Sequence, residues 1–244
     1  MTLAQTDIVI PGRGALLKGF LVYPEGADAL PGMLVLPGAG GLTDQIRGVA
    51  RRLAEQGYSA LAYDVYSRQP DAPVGSSYAE IVPYFNKIHD RTLLIDLDAT
   101  LQFFRGLSVV DPDRIGTLGF CAAFSIVLAS HDVRLKACVS FYNQIYYRQG
   151  DNPGPIISPI NRIPTLWCPF QGHYGEADMA HTEEQRAELE SALKRFNRNY
   201  EFYRYPETPH AFMDEGTAGY EEARANLAWS RTFAFLGRHL AAST

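Results

Sequence analysis

The chain has 244 residues, 46% of them hydrophobic and 20% charged, which excludes a disordered or fibrous protein and allows one large core in a single domain spanning 1–244. A net charge of −5 without a basic block excludes a cationic nucleic-acid surface, and no apolar run is long enough to span a membrane. The first 19 residues lack the basic start and apolar stretch of a signal peptide, so the expected location is cytoplasmic.

Residues 7–10 and 15–23 read as two strands joined by the turn Pro11-Gly12-Arg13-Gly14. A short apolar strand is expected over 33–36, then a helix over 45–56 that stops at Gly57, then a strand over 59–65. A polar loop covers about 67–77. Residues 90–105 form a helix, with Leu93, Leu94, Leu97, Leu101 and Phe104 recurring on one face. A strand over 114–119 leads to Cys121 and a helix of small residues. Strands are expected over 135–142, 165–171 and 200–205, and helices over 181–196 and 220–240. This alternation predicts an α/β fold with a mainly parallel central sheet flanked by helices on both faces. Sites in such sheets form at the carboxyl ends of the strands.

The segment Gly119-Phe120-Cys121-Ala122-Ala123 takes a strand through a cysteine into a helix. Such a turn pushes a nucleophile into the open, needs small neighbours, and offers helix N–H groups that favour a thiolate. Cys138 and Cys168 read instead as core residues inside apolar strands, and three cysteines without CxxC spacing fit free thiols. A thiol nucleophile needs a base, and His210 follows the strand over 200–205 by a short loop. The base needs an orienting carboxylate: Asp178 is preferred, with Glu176 and Asp214 as alternatives. The order nucleophile, acid, histidine is that of the α/β-hydrolase fold. For the oxyanion, the expected donors are the Ala122 N–H and the Ala39 N–H in Leu36-Pro37-Gly38-Ala39-Gly40-Gly41-Leu42. That loop lacks the spacing of a phosphate cradle. His89, His131, His181 and His239 read as solvated residues, and His173 as a pocket-lining residue at most. No histidine pair has metal-ligand spacing, so neither metal nor cofactor is expected.

These residues together resemble the dienelactone hydrolase family. The resemblance runs from Met33 onward. It is carried by the Pro37–Leu42 loop, Gly57-Tyr58-Ser59-Ala60-Leu61-Ala62-Tyr63-Asp64, Gly119-Phe120-Cys121, Gly175-Glu176-Ala177-Asp178, Pro209-His210-Ala211-Phe212-Met213 and Ala228-Trp229. It implies the α/β-hydrolase fold and a triad of Cys121, Asp178 and His210. Pro37 and Gly38 stand where the family's archetype has a polar residue and a glutamate. No arginine lies between Arg68 and Arg91 to grip a substrate carboxylate, and Ala123 and Phe124 replace glycines after the nucleophile. Substrate-binding candidates are Gly38, Tyr66, Tyr84, Tyr142 and Asn143, with Phe85, Tyr146 and Tyr147 beside them. Such a wall suits a larger, partly apolar ester or lactone, with neither nucleic acid nor membrane as partner. Two alternatives stay open: a tailoring enzyme on the same fold (cyclisation, isomerisation, C–C cleavage or acyl transfer), and a non-catalytic binding protein.

Overall fold

The computed structural model describes residues 1–147 and 157–242. The hairpin β1 (Leu3–Gly12) and β2 (Ala15–Pro24) turns at Arg13 and Gly14, with Gly12 paired to Ala15. Both strands are longer than their apolar cores suggest, because cross-strand pairing carries the polar ends. There follow β3 (Leu30–Leu36), α1 (Asp44–Glu55), β4 (Ser59–Tyr63), α2 (Tyr78–Phe85), α3 (Asp90–Arg105) and β5 (Val110–Phe120). The remainder is α4 (Phe124–Ala129), β6 (Ala137–Phe141), a 3-10 turn (Pro159–Thr165), β7 (Phe170–Gly175), α5 (Glu183–Arg195), β8 (Tyr200–Tyr205) and α6 (Glu222–His239).

The strands form one eight-stranded sheet in the order β1-β2-β4-β3-β5-β6-β7-β8. Its first two pairings are antiparallel and the other five parallel. Alternate residues along β3 feed opposite cores. Met33 and Val35 pack with Ile46, Val49 and Leu53 of α1 and with Trp229, Phe235 and Leu236 of α6. Leu34 and Leu36 pack with Leu97, Leu101 and Phe104 of α3, and with α4 and Leu189 and Leu193 of α5. Burying one such aliphatic side chain contributes roughly 1.5–3 kcal/mol. Period-2 strands between period-3.6 helices thus give the sheet two dry faces, which is the α/β-hydrolase fold.

One expectation needs correction. The strand expected over 165–171 begins only at Phe170. Pro169 has no N–H to give the ladder, and its carbonyl accepts from Cys138 N–H at 2.9 Å. Cys168 therefore precedes the strand, although it is buried as expected. The polar stretch Gln171-Gly172-His173 is fully buried strand. Its polar groups are satisfied: Gln171 Nε2 donates to Glu201, and His173 joins Gln171 Oε1 and the Tyr205 hydroxyl. Between the polar loop and α3, where the sequence reading assigned no element, lies a further helix, α2. Its start is secured by Ser77 and Glu80, which cap each other's backbone.

Candidate active site

β5 ends at Phe120, and the next residue, Cys121, has φ +54°. This left-handed conformation is costly for a side-chain-bearing residue and persists because the surroundings impose it. Cys121 N–H donates to Phe141 O at 3.1 Å, and Gln144 N–H donates to Cys121 O at 2.6 Å, so β6 and its following loop clamp the turn. A Cβ on Gly119 would lie 2.5 Å from Ser125 Oγ, and one on Gly38 would lie 2.9 Å from Cys121 Cβ. Only glycine lets the helix close on the strand and the Gly38 loop close on the thiol.

His210 lies in the loop after β8, and its Nδ1–H donates to Asp178 Oδ2 at 2.7 Å. Asp178 lies after β7, its side chain fully buried, and Ala180 N–H donates to its second oxygen at 2.8 Å. Burial works to lower the His210 pKa, but hydrogen bonds to Asp178 and to Cys121, and their charges, raise it from 6.5 to about 10. Burial works to raise Asp178, yet the bonds and charges of His210 and His181 bring its pKa below 3.8. Cys121, His210 and Asp178 thus come from the carboxyl ends of β5, β8 and β7, with His210 bonded to Asp178 and opening on the same cavity as Cys121. Glu176 is exposed, and Asp214 lies on the cavity wall rather than on His210.

A cavity of about 770 Å³ opens over Cys121 and His210, lined among others by Gly38, Ala39, Tyr142, Tyr146 and Tyr147. Tyr66, Tyr84 and Asn143 are not in its wall. Tyr66 is buried behind the glycine loop, its hydroxyl donating to Ala39 O at 2.6 Å, so it shapes the loop from outside. The Tyr84 ring lies under Lys87 in α2. Phe85 packs against Phe124. The Asn143 amide donates to Ser125 Oγ at 3.0 Å, behind the turn. Of the expected oxyanion donors, the Ala39 N–H has no partner among the described residues. The Ala122 N–H instead closes onto Phe120 O at 2.6 Å.

His181 was expected in solvent at a helix start. It is buried in the cavity wall, because the helix begins after it: Thr182 caps α5 and leaves His181 in the inward-facing loop. Its Nε2–H donates to Tyr142 O at 2.9 Å, and burial lowers its pKa despite the nearby Asp178. A pattern Asp-x-x-His just before a capping box was the available sequence signal. Tyr78, on the unforeseen α2, also lines the cavity. His173 does not; it is sealed in the sheet. Asp178, His181 and His210 each offer one ligand atom within 4.8 Å of the others. Folding, not sequence spacing, brings them together. Their nitrogens are already committed to Asp178 and Tyr142 O, so an ion would have to displace those bonds. Burial pushes the Cys138 thiol up to about 12 and raises Cys168 as well, which leaves both poor nucleophiles.

A model of the "Dienelactone hydrolase family" matches residues 17–240. The chain belongs to the dienelactone hydrolase family. A Bradyrhizobium protein named "Probable 2-oxo-3-(5-oxofuran-2-ylidene)propanoate lactonase" is 28% identical over 98% of this chain and 96% of its own length. A Methylorubrum extorquens protein named "Putative carboxymethylenebutenolidase" is 29% identical over 92% of this chain and 78% of its own. A crystal structure described as "Putative Dienelactone Hydrolase from Klebsiella pneumoniae" superposes with a TM-score of 0.90 at 28% identity, covering 98% of this chain and all (100%) of the other. Dienelactone hydrolases hydrolyse lactones and esters, and no helix among the described residues is long and apolar enough to cross a membrane.

Proposed function

We propose that this dienelactone hydrolase-family chain cleaves an ester or lactone through an acyl-cysteine formed on Cys121. The observation that carries the reading is the chain Asp178–His210–Cys121 beneath an open cavity. The Cys121 sulfur attacks the carbonyl carbon, and the electron pair of the C=O bond moves onto oxygen. The Ala39 N–H, without a partner among the described residues, receives that oxyanion; the Ala122 N–H joins by swinging from Phe120 O. His210 then gives its proton to the departing alkoxide as the C–O bond breaks. Water enters and gives a proton to His210, the hydroxide attacks the thioester carbon, and the C–S bond breaks, releasing the acid and restoring the Cys121 sulfur beside protonated His210. Asp178 keeps Nδ1 of His210 occupied, so the other ring nitrogen faces the sulfur throughout.

Intact-mass spectrometry after mixing with p-nitrophenyl acetate tests the reading. An acetyl adduct and nitrophenol release are expected for the wild type and not for Cys121→Ala. Equal behaviour of the two proteins would remove the acyl-cysteine.

A further inference from the structure

We propose that the cavity selects an uncharged substrate and that Asp214 in its wall is the residue that discriminates against a free carboxylate. This deepens the hydrolytic reading above and rests on it for turnover, though not for binding. Among the described residues no lysine or arginine lines the cavity. Its polar wall is neutral, from Thr43, Gln45, Gln144 and Gln185. Gln144 Oε1 is shielded from water and has no hydrogen-bond partner among the described residues, an acceptor left for a neutral O–H or N–H donor. Beyond His210, whose positive charge is paired with Asp178, the charge the wall carries is of the wrong sign for an anion. Asp214 is fixed by Gly216 N–H, which donates to its Oδ1 at 3.0 Å, and no basic side chain pairs with it among the described residues. The exposed apolar surfaces of Tyr78 and Met179 complete the mouth.

A carboxylate entering this space would lose water, find the His210 charge already paired with Asp178 and face a second carboxylate in Asp214. The relatives' names, a propanoate lactonase and a carboxymethylenebutenolidase, both describe carboxyl-bearing molecules. This wall departs from that chemistry.

The test uses a matched pair, methyl 4-acetoxybenzoate and 4-acetoxybenzoate, which differ by one negative charge at the same position. Binding is measured by NMR titration to Cys121→Ala at low ionic strength, which needs no turnover. The methyl ester is expected to bind about tenfold more tightly or better, and adding Asp214→Asn is expected to narrow the ratio by about three- to tenfold. Equal or tighter binding of the carboxylate overturns the proposal, and an unchanged ratio in Asp214→Asn overturns the role of Asp214. In the wild type, preferential hydrolysis of the methyl ester supports it further. If wild type hydrolyses neither compound while binding still favours the ester, the hydrolytic reading fails and the charge selection stands.

Discussion

His210 and Asp178 have opposite acid–base consequences. The fold favours the protonated imidazole, so its stabilisation is complete below 6.5 and disappears as pH rises through about 10. The Asp178 contribution has the other sign: it is present above 3.8 and lost as pH falls through the lowered value. Replacing Asp178 by Asn removes a hydrogen bond and a charge that hold the His210 proton. The His210 titration, followed by NMR, is then expected to fall by about one to three pH units, and kcat by about a hundredfold or more. His181 acts on the same centre through Tyr142, a side-chain-bearing residue at φ +40° whose ring abuts His210 at 4.8 Å. His181→Phe leaves the Tyr142 carbonyl without its donor. The expected cost is about 1–3 kcal/mol in urea unfolding, with a drop in kcat that exceeds any change in KM.

Among the elements, the turn around Cys121 has the least tolerance. Gly119→Ala drives a methyl group into Ser125, and the helix must move to admit it. A loss of roughly 1–3 kcal/mol and of most Cys121 acylation is expected, read by thermal melting and by adduct mass. At the start of α1, Thr43 accepts from Ile46 N–H, and Thr43→Ala is expected to cost about 1 kcal/mol in thermal melting. Much of this was legible in the chain. The apolar repeat of 90–105 matched α3 residue for residue, and Gly-x-Cys-x-Ala placed the turn. What escaped was set by distant partners. The polar residues of β7 are strand because Glu201 and Tyr205 satisfy them, which no local pattern reveals. Tyr66 and Asn143 are aromatic and polar, as pocket residues often are. Their hydroxyl and amide are spent on Ala39 O and Ser125, and only the fold shows that.

Across the whole molecule, the sheet carries a buried histidine that acid can reach only by opening it. Burial lowers His173 from 6.5 to about 3, with the Arg231 charge adding to the effect. The unfolded chain binds that proton and the folded one does not, so stability declines as pH drops below 6.5 toward 3. His173→Gln is expected to flatten that decline in melting curves recorded across this range. The three proposed catalytic residues come from loops after β5, β7 and β8, whereas the hairpin β1–β2 sits at the far edge of the sheet and gives the cavity no wall. Turnover is therefore a reporter with a spatial bias. Fraying of the amino-terminal edge would go unseen by it, while separation of any two strands between β5 and β8 would silence it. During refolding, recovered activity is expected to follow closure of that half of the sheet, whatever the state of the hairpin.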